Sequence, residues 1–195
     1  MIGHIWFNID GWFSIEQRSL YSKIIQKLPA SGAHIVEIGT WKGSTACAAL
    51  DGNRVSAWLV DNWSEFGGPA SDALRNISHC IDNSSRLTVV SKDFNTVDYR
   101  TLIDRSVDTY FFDGPHARKD HENGAKVINQ LNFETLIYIV DDWNWEDVRA
   151  GTYAGLETLE AKVVYKAEIF PKSVRRFQYS RWHNGYCFFI LEKTQ

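Results

Sequence analysis

A chain of 195 residues is long enough for one domain core and too short for two ordinary ones. With 44% hydrophobic and 23% charged residues, it is not a disordered segment, a collagen-like repeat or a disulfide scaffold. Lys and Arg number 21 against 24 Asp and Glu, a net −3, which argues against a generic nucleic-acid or anionic-membrane binder and leaves room only for a local patch.

The chain opens MIGHIWFNIDGWF, without the basic and apolar regions of a signal peptide. No apolar run reaches about 18 residues, so no membrane span and a cytoplasmic location are expected. Ser14 followed by Gln17 has capping-box spacing, and Leu20, Ile24, Ile25 and Leu28 share a helical face. A helix over 15–28 is predicted, stopped by Pro29 and Gly32. The chain then alternates. Strands are predicted at 34–38, 55–60, 87–90, 107–112 and 136–140. Helices are predicted at 43–50, 69–81, weakly at 96–103, and at 117–131 and 145–159, the last led by Asn144 as N-cap. Two more strands, 162–170 and 186–191, follow with no helix between them. Alternation of this kind implies a parallel sheet covered on both faces, with an antiparallel pair at one end. Ligands of such sheets sit beyond the C-terminal strand ends. Cys47, Cys80 and Cys187 form no C-x-x-C pair and read as small hydrophobes of a reducing compartment.

The first strand runs into Glu37, Gly39, Thr40, Trp41, Gly43, Ser44 and Thr45. Two glycines at a strand-to-helix turn admit a ligand close to the backbone, and the helix start offers unpaired N–H groups. A tight turn needing two glycines is the structural alternative. The second strand ends at Asp61, with Asn62 after it, about 20 positions beyond the turn, where an acid accepts ribose hydroxyls. After the third strand, Asp93 would accept from an adenine amino group or cap a helix, and Phe94 would stack or pack. Together these features point to an adenosine ligand.

The run from His34 to Thr45, HIVEIGTWKGST, resembles motif I of class I S-adenosylmethionine-dependent methyltransferases. It is closest to the branch written V-E-I-G-x-x-x-G-x-S-T. The likeness extends from Gly11–Ser14 to the final strand pair. It implies a single methyltransferase domain over 1–195, with segment 1–30 packing near the site. The implied fold is an α/β Rossmann-like sandwich, a seven-stranded mostly parallel sheet whose antiparallel last strand inserts beside the fifth. It implies S-adenosylmethionine as cofactor, with Glu37 supporting the loop, Gly39 facing the cofactor and Asp61 holding the ribose. A nicotinamide turn would show G-x-G-x-x-G, and position 41 is Trp.

The fourth strand ends at Asp113, three residues before His116, and the fifth at Asp141 and Asp142. If these strands are neighbours, three carboxylates converge, an oxygen set suited to Mg2+, Mn2+ or Ca2+. This pattern resembles metal-dependent O-methyltransferases, including those acting on sugars, and implies Asp113, Asp141 and Asp142 as ligands. Helix capping by Asp142 and loop hydrogen bonding by Asp141 are the alternatives. His116 is a candidate base or acceptor contact, or a surface histidine. Asp120 and His121 read as solvated helix residues. Trp41, Trp63, Trp143 and Trp145 fall at strand ends, where they would shield a sulfonium, stack on an acceptor or fill the core.

The expected function is therefore O-methylation of a small hydroxylated acceptor, sugar-like or a natural product, with Mg2+ assistance and a homodimer as the candidate assembly. A rival reading uses segment 171–182, where Lys172, Arg175, Arg176 and Arg181 interleave with aromatics, to hold a nucleic acid or an anionic substrate. A non-catalytic binding protein on the same fold is the other.

Overall fold

A computed structural model describes residues 8–11, 14–29, 31–170 and 182–194. Helix α1 spans Ile15–Ile25, and its capping box forms as predicted: Gln17 N donates to the Ser14 side chain and Ser14 N to the Gln17 side chain. β1 (Ala33–Ile38), α2 (Ser44–Leu50), β2 (Val55–Val60), α3 (Ala70–Cys80) and β3 (Arg86–Val90) follow. A 3-10 turn at Phe94–Thr96 and the one-turn α4 (Tyr99–Leu102) replace the weak helix. Then come β4 (Thr109–Phe112), α5 (Arg118–Lys126), β5 (Thr135–Asp141), α6 (Glu146–Leu156), β6 (Ala161–Ile169) and β7 (Tyr186–Lys193).

The seven strands form one sheet in the order β3-β2-β1-β4-β5-β7-β6. β1 to β5 run parallel, and β7 lies antiparallel between β5 and β6. Both faces are covered, so β4 reads TYFF with every residue buried rather than alternating. Val36, Phe112, Tyr138 and Phe189 pack on one side with Tyr99, Ala125 and Val148. Ile35, Phe111 and Ile139 pack on the other with Tyr21, Leu50 and Ile77. The three cysteines are free and buried, as small core residues would be. Among the described residues no helix is long and apolar enough to cross a membrane.

Several boundaries differ from expectation, among them α1, which ends at Ile25, and β4, which starts at Thr109. The 117–131 helix tightens into a 3-10 turn at Val127–Gln130. Gly124 does not interrupt it; a Cβ there would lie 2.3 Å from the Phe112 ring, so the glycine lets α5 press onto the sheet. α6 starts without Asn144 as its cap: the N-cap is Trp145, with no side-chain bond. Asn144 N is instead engaged by the carbonyl of Asn184, at 2.7 Å.

Candidate active site

The strand ends of β1, β2, β4 and β5 border one cavity of about 330 Å³. At its floor, Glu37 is fully buried and its Oε1 accepts the Thr45 hydroxyl at 3.2 Å, while Oε2 has no hydrogen-bond partner. Burial pushes this carboxyl up to about 8, the Thr45 bond opposing and Asp113 adding to the rise. Gly39 has φ +87°, and a Cβ there would sit 1.8 Å from the Asp113 carbonyl oxygen. The ends of β1 and β4 therefore approach as only glycine permits. Gly43, at φ +80°, caps α2 and fits against Ile77, 3.0 Å from where its Cβ would be. Ser44 and Thr45 are buried; Thr45 serves Glu37, and Ser44 Oγ lies 2.4 Å from where a Gly11 Cβ would stand.

Asp61 joins two loops. Its Oδ2 accepts from Trp41 N at 2.8 Å and its Oδ1 from Trp63 N at 2.7 Å. The Trp63 indole closes the circuit on the Trp41 carbonyl at 2.9 Å. Each carboxylate oxygen keeps acceptor capacity for a ribose hydroxyl. Asn62 Oδ1 accepts from Ser64 N at 3.0 Å and shapes the same rim. Thr40, Asp61, Asn62, Asp93 and Phe94 all border the cavity. Asp93 caps the 3-10 turn through Asn95 N at 2.8 Å. The Phe94 ring packs edge-on against Phe112, with centroids 5.3 Å apart, and is buried.

At the other end, His116 Nε2 donates to Asp142 Oδ2 at 2.7 Å and lies 4.0 Å from Asp113 Oδ1. Asp142 Oδ1 accepts from Asn184 Nδ2 at 2.5 Å. Ligand atoms of Asp113, His116 and Asp142 lie within 4.8 Å of one another. Asp141 lies outside that set. It is buried, its Oδ1 lacks a partner, and burial, with Asp113 and Asp142 nearby, pushes its carboxyl well above the ordinary range. Burial lifts Asp113 to about 7, His116 opposing and Asp142 adding. Burial would also raise Asp142, but the His116 bond outweighs it and holds that carboxyl low. Asp113 and Asp142 together hold the His116 imidazole up at about 10. Asp142 does not cap α6 with its side chain; its carbonyl accepts Trp145 N at 2.9 Å.

Two tryptophans separate by role. Trp143 is core, its Nε1 donating to Glu168 Oε1 at 2.9 Å. Trp145 is exposed, with its ring edge-on to His116 at 4.8 Å. His121 is a correction: it is buried beside Phe112, 4.9 Å between ring centroids, and burial pushes its imidazole down to about 3. Gly151 explains this, since a Cβ there would lie 2.1 Å from the Arg118 carbonyl and 2.9 Å from His121 Cβ. α5 and α6 touch through backbone, and His121 has no route to solvent. Asp120 is half-buried on the cavity wall.

His183 and Asn184 were missed. β7 runs antiparallel to β5 and pairs Tyr186 with Asp141, so the turn before β7 must arrive at the acidic strand end. A His-Asn-Gly turn ahead of the last strand was the available signal. Of the basic segment only Trp182 is described; 171–181 lie outside the described residues, as do Trp12 and Phe13. Among the described residues, five non-glycine residues have left-handed backbones: Trp41, Trp63, Phe66, Asp142 and His183. All five line this cavity.

The buried titratable groups set a pH signature. Glu37 keeps its proton in the fold up to about 8, whereas the unfolded chain releases it near the ordinary value of 4.5. The folded state then binds more protons, so stability falls as pH rises through that window. His116 acts in the same direction: its ion pairs are fully present below 6.5 and are lost as pH rises through about 10. The thermal midpoint is expected to fall by several degrees from pH 6 to pH 9. Glu37→Gln should flatten the part below pH 8; an unchanged slope in that variant would count against a protonated Glu37.

A model of the methyltransferase domain matches residues 36–143, more than half of the chain. No curated protein matches it in sequence. Among solved structures, an O-methyltransferase from Bacillus cereus in complex with S-adenosylhomocysteine shares 15% identity at TM-score 0.62, covering 96% of this chain and 84% of that one. SMU.776, solved with S-adenosylhomocysteine, shares 15% at TM-score 0.63 over 94% of this chain. The M. jannaschii tRNA m1G37 methyltransferase shares 11% at TM-score 0.56, also over 94%. The chain spans about half (51%) of each of these last two. Such low identities show a common sandwich alone, while the domain match takes in the glycine turn, Asp61 and the acidic ends of β4 and β5. The chain belongs to the class I S-adenosylmethionine-dependent methyltransferase family.

Proposed function

We propose that the protein methylates a hydroxyl oxygen of a small acceptor, using S-adenosylmethionine. The observation that carries this is the single cavity joining Gly39 and Asp61 to the Asp113–His116–Asp142 cluster. The residues suit the cofactor: the cradle at Gly39 has no room for a Cβ, Asp61 retains acceptor capacity, and Glu37 Oε2 lacks a partner. S-adenosylmethionine supplies a methyl group activated by a sulfonium. Asp61 and the Gly39 turn fix the adenosine half, and the β4–β5 side orients the acceptor, so alignment lowers the barrier. Trp41 and Trp63 wall the cavity. The cluster gives the site what a hydroxyl acceptor needs, groups that can orient it and take part in moving its proton.

The same cluster supports a second reading, a divalent cation held by Asp113, His116 and Asp142. With an imidazole among the donors, the set suits Mn2+ at least as well as the Mg2+ expected from an all-oxygen set. Bound there, such an ion would lower the pKa of an acceptor hydroxyl. Against it, His116 already supplies a cation between the two carboxylates.

Label transfer from tritiated S-adenosylmethionine to catechol, quercetin and methyl glucoside tests the function. Methylated oxygen is the expected product; label on nitrogen or carbon alone would overturn the reading. Prior treatment with chelator should leave turnover within about twofold, since the imidazolium supplies the positive charge. A loss restored by Mn2+ or Mg2+ would establish the metal reading. A nucleic-acid acceptor would show itself as oligonucleotide binding that falls steeply with salt.

A further inference from the structure

The turn 182–185 is built into the site. Gly185 N bonds to the Trp182 carbonyl at 2.6 Å, and Trp143 N and Asn144 N bond to the carbonyls of Gly185 and Asn184 at 3.4 and 2.7 Å. From the other side, Gln17 Nε2 of α1 donates to the Trp182 carbonyl at 3.3 Å. Asn184 grips Asp142 at 2.5 Å. Between these anchors His183 is held at φ +36°, a conformation uncommon for a residue with a Cβ. It is half-buried and lines the same cavity as Asp113 and His116. In the sheet order its strand, β7, is four places from β2, which carries Asp61. The adenosine anchors thus sit at one end of the cavity and His183 at the other, where an acceptor must enter. His116, the base suggested by the sequence, has its Nε2 committed to Asp142.

We propose that His183 is a catalytic residue on the acceptor side, touching the acceptor hydroxyl and taking its proton during methyl transfer. This rests on the hydroxyl-acceptor reading above. The acceptor oxygen forms a bond to the methyl carbon as the carbon–sulfur bond breaks. Its electron pair stays with sulfur, giving S-adenosylhomocysteine, and the hydroxyl proton passes to the His183 imidazole and then to solvent. Burial lowers the pKa of His183, with Asp142 opposing. His116 and Asp113 line the same cavity, and the neighbouring Asn184 fixes Asp142.

His183→Asn is the cleanest test, because asparagine takes a left-handed backbone more readily than histidine. The turn should therefore keep its shape. With catechol, quercetin and methyl glucoside as acceptors, kcat is expected to fall by at least about 100-fold. The affinity for S-adenosylhomocysteine should stay within about twofold, and added imidazole should restore part of the rate to His183→Ala. A kcat within threefold of the parent, with transfer to oxygen intact, would overturn the role of His183 and leave the function standing. A tenfold loss of cofactor affinity would reassign the residue to the adenosine side. A parent enzyme that binds the cofactor and labels no hydroxyl would sink both.

Discussion

Gly39→Ala should abolish detectable binding of S-adenosylhomocysteine and lower the melting temperature by roughly 10 °C. The new methyl would lie 1.8 Å from the Asp113 carbonyl oxygen, on backbone that is itself pinned, since Asp113 N donates to the Ile38 carbonyl at 2.9 Å. Relief requires the ends of β1 and β4 to part. Overpacking of this kind costs about 1–3 kcal/mol, and the left-handed φ adds about 1–2. Gly52→Ala is the control: its φ is +71° with nothing within 4 Å of a Cβ, so it should cost the strain alone and leave binding intact. Calorimetry and thermal unfolding of both proteins decide the matter; an affinity of Gly39→Ala within threefold of the parent would show that the turn is not the cofactor cradle.

Asp61→Ala should weaken S-adenosylhomocysteine by at least about 100-fold, near 2.7 kcal/mol. The carboxylate holds two backbone amides, Trp41 N and Trp63 N, as well as being the proposed ribose anchor. Hydrogen bonds to a charged group contribute about 1.5–3 kcal/mol each. Asp61→Asn keeps one carbonyl oxygen and turns an amide toward a backbone donor, so it should fall between the two. Equal affinity for the parent and Asp61→Ala, measured by calorimetry, would remove Asp61 from the ribose and leave it a loop brace.

Much of this arrangement was legible in residue order. Short apolar runs alternating with helical spacing define five parallel strands, because both faces of such strands are buried and helix stops are marked by Gly and Pro. The insertion of β7 between β5 and β6 came from family likeness, since periodicity says nothing of which strand neighbours which. The proposed adenosine side was readable because its candidate residues, Gly39 and Asp61, directly follow strand ends and line the cavity. The acceptor side was harder. Its groups depend on a contact between residues 42 positions apart, Asp142 and Asn184, which no local pattern announces. Asp141 and His121 were hard to place for a related reason. Adjacent acids look alike in sequence, and both are buried, yet Asp141 lies on the strand while the left-handed backbone of Asp142 brings its carboxylate to His116 and Asn184. His121 has the surroundings of a solvated helix until Gly151 brings α6 against it.

The five left-handed residues around the cavity have a consequence for evolution. Each backbone of this kind costs roughly 1–2 kcal/mol relative to a relaxed one. Trp41, Trp63, Phe66, Asp142 and His183 together therefore tax the fold by an amount comparable with the whole stability of a small domain. Selection for heat resistance alone would replace them with glycine or asparagine and drift toward a sturdier, idle protein. A laboratory population passed through repeated heating without a demand for methyl transfer should accumulate changes at Phe66 first, because its ring is the most exposed of these five and surrenders the least packing. The rim of the cavity is where durability and catalysis pull the sequence in opposite directions.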